Sequence, residues 1–392
     1  YTTVAYALTN NDFEELNARK SDPQEEKVKT SLSWVGFKQQ FFVGFAVREQ
    51  GFEEAMLHMQ NNEEPGFVRD FSARLMFPLS GTNDHQMDMS FYFSPTSYKT
   101  LRSYGKGFEQ VVPLGGWLVS WVNKYVVINV FDWLSSFIKN YGIIILLLTL
   151  FIKIVVFPLT YKTYLNQAYM RVLKPKIDEI NAKYPKKEDA LKKQQATMAL
   201  YKRAGINPMG GCLPLLIQMP ILIAMFRFFP GSIELRQKSF LWADDLSSYD
   251  SILDLPFSIP FYGAHVSLFT LLMGVSMLVY GMMSYKQTAN TSQQMPGMKF
   301  MTVYMMPLMM VMWFNNYSSG LSYYYLLTNL ITIVQMVVIR RMIDGQKVLR
   351  RLEANSDKKV KKNGFMERLE RLQREQQKKL DQQRRAGSKG RS

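Results

Sequence analysis

Residues 141–161, YGIIILLLTLFIKIVVFPLTY, contain a single charge, Lys153. A run of this length can cross ~30 Å of hydrocarbon as a helix. A charge near the centre of such a helix costs about 2.5–3.5 kcal/mol on insertion scales, so the lysine needs a partner, water or a function. Two readings stay open. Lys153 can line a wet groove with Thr149, one helical turn earlier and on the same face. It can also snorkel, because about eight residues at 1.5 Å put the helix end ~12 Å away.

Four further apolar segments follow, at about 210–229, 265–283, 299–317 and 319–339, and the sequence predicts five spans. Charge orients them. Lys and Arg outnumber acids 11 to 4 in 162–206 and 18 to 7 in 340–392. The loop 230–264 carries DDLSSYD, with only Arg236 and Lys238 against it. By the positive-inside rule, 162–206 and the tail are cytoplasmic and the N-terminal region lies outside. The single cysteine, Cys212, excludes an internal disulfide framework, and three histidines leave little for a metal site.

Residues 1–112 read as β-rich. Met87, Met89, Phe91 and Phe93 alternate with Asp88, Ser90 and Tyr92, the period of a half-buried strand. Residues 31–47 and 72–80 are further strand candidates, and together these predict part of a β-sandwich. The Trp-rich stretch 117–139, interrupted by Asn123, Lys124, Asn129 and Asp132, predicts an interfacial amphipathic helix within 113–140. Helical periodicity on both sides of Tyr184-Pro185 predicts a hairpin over 162–207. The tail 346–392 reads as a marginal helix, solvated or drawn to lipid by its basic charge. No signal sequence follows Tyr1, so the chain is expected to begin inside a longer protein, after an N-terminal anchor helix and the rest of the β domain.

Four motifs then stand in order: FPLT after the charged span, MALYKRAGINPMGGCLPLLIQMPI (198–221), GSIELRQKSFLWADDLS (231–247) and SSGLSYYYLLTNLITIVQ (318–335). Across about 113–345 the chain resembles the bacterial YidC membrane insertases and their mitochondrial and chloroplast relatives. Its β domain resembles, more loosely, the periplasmic domain of Gram-negative members. The resemblance implies a five-helix insertase core, 141–345, around a hydrophilic groove open to the cytoplasm and lipid, in a bacterial inner-membrane protein. Lys153 then occupies the groove position where the family usually has Arg, which keeps the charge but loses the planar guanidinium. Tyr325 and Asn329 match groove positions on the last helix, and Leu213 and Pro214 match positions on the helix that guides substrate. Gln218 and Asn316 are further intramembrane polar groups. For them and Asn329, interhelical hydrogen bonding is the competing reading. Leu213 and Pro214 read equally as part of a close-packed helix start, and the Met-rich run 304–313 as ordinary lipid-facing and core surface.

The implied activity is insertion and chaperoning of nascent membrane proteins, alone or beside the Sec translocon. The basic tail and hairpin would attract ribosomal RNA. No catalytic, cofactor or metal motif is present. The competing class is a small-anion transporter or channel using Lys153; inverted repeats would favour it, and none is visible across the five segments.

Overall fold

The computed structural model describes residues 1–78, 88–185, 189–203, 213–288 and 298–342, with isolated positions beyond Met342. They form two compact units: one of residues 1–160, 213–285 and 295–336, the other of 161–212, 286–294 and 337–392.

Among the described residues eight strands build the N-terminal domain: β1 (Thr3–Leu8), β2 (Phe13–Glu15), β3 (Gln24–Val28), β4 (Leu32–Lys38), β5 (Phe42–Phe52), β6 (Glu54–Asn61), β7 (Arg69–Met76) and β8 (Ser90–Pro95). They pair antiparallel in two sheets, ordered β2-β1-β4-β5-β8 and β3-β6-β7. Val4, Tyr6 and Val35 of the first sheet bury against Leu57 and Met59 of the second. On the opposite face Trp34 sits edge-on to Phe45 and Phe108 at 5.2 and 5.6 Å. Burying each such ring is worth about 1.5–3 kcal/mol, which fixes the alternation of β4 and β5.

Strand β8 reverses the expected pattern. Tyr92 packs inward, 5.4 Å from Phe108, while Phe91 and Phe93 are 63% and 82% exposed. A five-stranded sheet under a three-stranded one leaves its β5–β8 side uncovered. The apolar side chains there line an open groove with Gly44 and Ala46.

Past α1 (Tyr98–Ser103), the amphipathic segment comprises α2 (Trp117–Val122), a π turn (Asn123–Val127) and α3 (Ile128–Phe137). Trp117, Trp121, Tyr125, Trp133 and Phe137 are all exposed, spaced in multiples of four. A strict α-helix would rotate such a ladder by ~40° per step. The π turn takes up part of that drift.

Helices occupy all five expected segments: α4 (Tyr141–Val172); α7 (Leu213–Gly231); α8 (Leu268–Thr288); α9 (Met298–Phe300), which continues through a π turn into α10 (Met306–Phe314); and α11 (Ser319–Met342). Before α7 come α5 (Lys174–Lys183) and α6 (Ala190–Arg203). Among the described residues three stretches, Tyr141–Leu165, Leu268–Tyr285 and Ser319–Met342, are long and apolar enough to cross a membrane; Met301–Phe314 is shorter. A Cβ on Gly274 of α8 would overlap Val311 of α10, and one on Gly281 would touch the Val303 backbone at 3.7 Å. This small-residue seam lets the two helices approach closely.

The sheet domain is tied to the same helical body. Gln40 donates to the Pro230 carbonyl at 2.7 Å, and the Arg236 guanidinium lies 5.3 Å from the Phe42 ring centroid. Between α7 and α8 the expected loop contains a hairpin, β9 (Leu253–Ile259) with β10 (Gly263–Val266). In the smaller unit, Leu173, Ile177 and Tyr201 bury one another where α5 and α6 pack, and α5 ends at Lys183, before Tyr184-Pro185. Almost all of the tail, and residues 204–212, lie outside the described residues.

Candidate functional site

The helical core holds two kinds of polar group. At one end lies a closed network. Asp250 is buried and accepts four hydrogen bonds: from Trp242 Nε1 (2.9 Å), Ser267 Oγ (2.5 Å), and the backbone N–H groups of Leu268 (2.9 Å) and Phe269 (3.0 Å). Ser267 caps α8, its hydroxyl accepting from Thr270 N at 3.1 Å. A carboxylate at a helix start also meets the positive end of the dipole. The Thr270 and Ser322 hydroxyls hydrogen-bond to each other at 3.0 Å. Asn315 donates to the carbonyls of Tyr262 and His265 and accepts from Ser267 N at 2.9 Å. Each of these buried groups has a partner, and the helix ends are locked together.

Deeper along the helices the pattern changes. Lys153 of α4 is half-buried, and its Nζ donates to Thr332 Oγ1 of α11 at 2.7 Å. Among the described residues this is its one hydrogen bond, and no carboxylate pairs with it. An ammonium has three donors, so two remain for water or another acceptor. Thr332 passes its own proton to the Thr328 carbonyl at 2.6 Å.

Ser322, Tyr325, Asn329 and Thr332 follow a stride of three or four and so share one face of α11. That face reaches three helices: Tyr325 donates to the Leu222 carbonyl of α7 at 3.3 Å, Asn329 to Ser276 Oγ of α8 at 3.0 Å, and Thr332 receives Lys153 of α4. Polar groups from four helices thus converge on a stripe inside an otherwise apolar core built on Ile145, Leu148, Met225, Phe229 and Met273.

The remaining sequence candidates fall differently. Thr149 is buried one turn before Lys153, but its hydroxyl bonds its own helix at the Ile145 carbonyl, 2.6 Å away. Gln218 is half-buried on α7. Leu213 and Pro214 open α7, and their side chains lie outside the described residues. Asn316 stands apart from the stripe: it is exposed in the α10–α11 turn and donates to the Tyr262 carbonyl at 2.9 Å. Its neighbour Asn315 is the buried one. Sequence reasoning missed Thr332, Ser276 and the Asp250 network. The stride from Tyr325 through Asn329 pointed at Thr332.

This is a sheet domain joined to a bundle of apolar helices that holds a cation within the bundle: a polytopic α-helical membrane protein. Residues 133–347 match the family model described as 60Kd inner membrane protein, and residues 1–128 match the YidC periplasmic domain. The chain belongs to the 60Kd inner membrane protein family. It is 46% identical over 401 residues to the membrane protein insertase YidC of Parabacteroides distasonis, covering 99% of this chain and 63% of that one. To the protein of the same name from Bacteroides fragilis it is 48% identical over 384 residues, 95% of this chain and 62% of the relative. The chain therefore spans less than two thirds of the length of these relatives. A crystal structure titled as an active YidC insertase with its first transmembrane domain resolved aligns with a TM-score of 0.41 and 20% identity, over 86% of this chain and 73% of that one.

Proposed function

We propose that the chain acts as a membrane protein insertase and chaperone, with the stripe around Lys153 forming a hydrophilic groove for nascent membrane proteins. The observation that carries this is Lys153 itself, held by one threonine and no carboxylate among the described residues, with donors left for a mobile partner. A polar path through part of the bilayer lowers the desolvation cost of moving a client's polar segment. The client's apolar segment then partitions into lipid and supplies the driving force. Tyr325, Asn329, Thr332, Thr149 and Gln218 line or support the groove, and Leu213 and Pro214 guide substrate. No covalent step is required, so the chain works without a cofactor. The family and its relatives' names support insertion over small-anion transport.

In the same reading five helices span the bacterial inner membrane within 141–345. Residues 1–112 are periplasmic and 113–140 lie along the interface. The hairpin 162–207 and the tail 346–392 are cytoplasmic, where their basic charge meets the ribosome; the Sec translocon is a further partner. Two measurements test this. Depleting the protein should leave a defined set of small membrane proteins uninserted, and an unchanged membrane proteome would contradict the reading. Deleting 346–392 should weaken ribosome co-sedimentation and flatten its salt dependence. Unchanged binding at low and moderate salt would move that contact to the hairpin or to lipid.

A further inference from the structure

The β9–β10 hairpin has a surface that the insertion reading does not use. From Ser251 to Val266, SILDLPFSIPFYGAHV, the chain has one carboxylate, Asp254, and neither Lys nor Arg. Leu253, Leu255, Phe257 and Ile259 alternate along β9 and so fall on one face. Leu253 and Phe257 are 58% and 61% exposed, and Phe261 at the tip is 81% exposed with a φ of 66°. A bulky residue in the left-handed region is a backbone outlier.

The inner strand is the anchored one. His265 Nε2 lies 2.8 Å from the Asn315 carbonyl, and both Asn315 and Asn316 donate to the Tyr262 carbonyl at 2.9 Å. Strand β9 forms the other side of this two-stranded sheet. The anchor fixes the level: α8 begins at Leu268, just past β10, and α10 ends at Phe314, beside Asn315. Trp313, 64% exposed in the last turn of α10, marks that level as a membrane–water boundary.

We propose that the β9–β10 hairpin lies on the bilayer, with its β9 apolar face and Phe261 embedded at the headgroup–acyl boundary. Two arguments select this occupant and its depth. Strand β10 leads within two residues into α8, whose Leu271, Leu272 and Val275 are exposed, and the hairpin carries neither Lys nor Arg, whereas protein interfaces are enriched in Arg. The free edge of β9 carries unpaired backbone groups that hydrocarbon cannot satisfy, which holds the hairpin at headgroup depth. Pro256 lessens that demand by removing one donor from the strand. The proposal rests on the helices crossing a bilayer and is independent of what the protein inserts.

The test uses the full chain with Cys212 replaced by Ser, reconstituted in phosphatidylethanolamine–phosphatidylglycerol vesicles. Phe257→Cys, Ile259→Cys, Phe261→Cys and, as control, Asp254→Cys each carry an environment-sensitive fluorophore. Each variant is first checked for the parent's thermal transition. Shallow nitroxide lipids should quench positions 257, 259 and 261 at least twofold more than position 254, and more than deep nitroxide lipids do. Equal iodide quenching at all four positions would overturn the proposal. So would protection from both iodide and lipid quenchers, which would mean that a protein, such as a second copy of the chain, covers the face.

Discussion

The two polar regions of the helical core obey opposite rules. At the Asp250 end one carboxylate satisfies four donors, and three hydroxyl or amide side chains close the remaining gaps. At Lys153 a full charge is met by a single threonine hydroxyl. The first arrangement is what structure demands of buried polar groups. The second leaves capacity for something outside the fold. An apolar bundle can therefore be sealed at one end and receptive further in, using similar side-chain types.

The largest test of that contrast is stability. Asp250→Ala leaves four donors without their acceptor, each costing about 1–3 kcal/mol when buried and unsatisfied. Ser267 and Phe269 are fully buried while Trp242 is 36% exposed, so a loss of about 2 kcal/mol or more is expected in thermal or denaturant unfolding in detergent. Lys153→Met should be neutral, or stabilising by up to about 4 kcal/mol, because it removes a charge that is costly to bury. Similar destabilisation by both substitutions would erase the distinction between the regions.

A fully buried lysine elsewhere sharpens the comparison. Lys38, in the sheet domain, is buried with Glu15 3.8 Å away. Desolvation pushes its ammonium below the ordinary value of 10.5, and Glu15 only partly opposes this. The unfolded chain then binds more protons between the lowered value and 10.5, so stability from this group rises with pH across that window. Below the window the charged lysine is a constant penalty. Replacing Lys38 with Met should remove this slope from pH-dependent unfolding of the protein, and a retained slope would assign it elsewhere.

The smallest effects belong to the stripe. Asn329→Ala should cost about 0.6 kcal/mol and Thr332→Val no more than about 1–2 kcal/mol, as for other interhelical hydrogen bonds in membranes. Yet Thr332→Val should lower client insertion, because it frees the ammonium from the bond that positions it. A stability loss as large as that of Asp250→Ala would make the stripe a structural lock.

How much was legible follows from the same physics. Lys153, Tyr325 and Asn329 stood out because charge and amide groups are rare in apolar runs. Thr332 and Ser276 did not, since a helical hydroxyl ordinarily bonds its own preceding turn. Thr332 does so and still accepts from Lys153. Asn315 and Asn316 differ by one position at a helix end, where sequence alone fixes boundaries poorly. The strands of 31–47 were readable from their apolar residues between polar loops, but which face of β8 would be covered depends on the width of the opposing sheet. The β9–β10 hairpin was hidden by Pro256 and Pro260, which argue against a strand unless it lies at an edge. Asp250 looked like loop acidity until its four donors assembled around it.

The central claim is that Lys153 serves as a groove charge for clients rather than a lysine that snorkels away. Insertion of clients graded in the acidity of their translocated segments, by Lys153→Arg, Lys153→Met and Lys153→Glu proteins, measures it most directly. Arg should retain insertion, Met should lose acidic clients while staying folded, and Glu should impair those clients most, by like-charge repulsion in a medium that screens less than bulk water. Equal insertion rates for Lys, Met and Glu across the series would contradict the account.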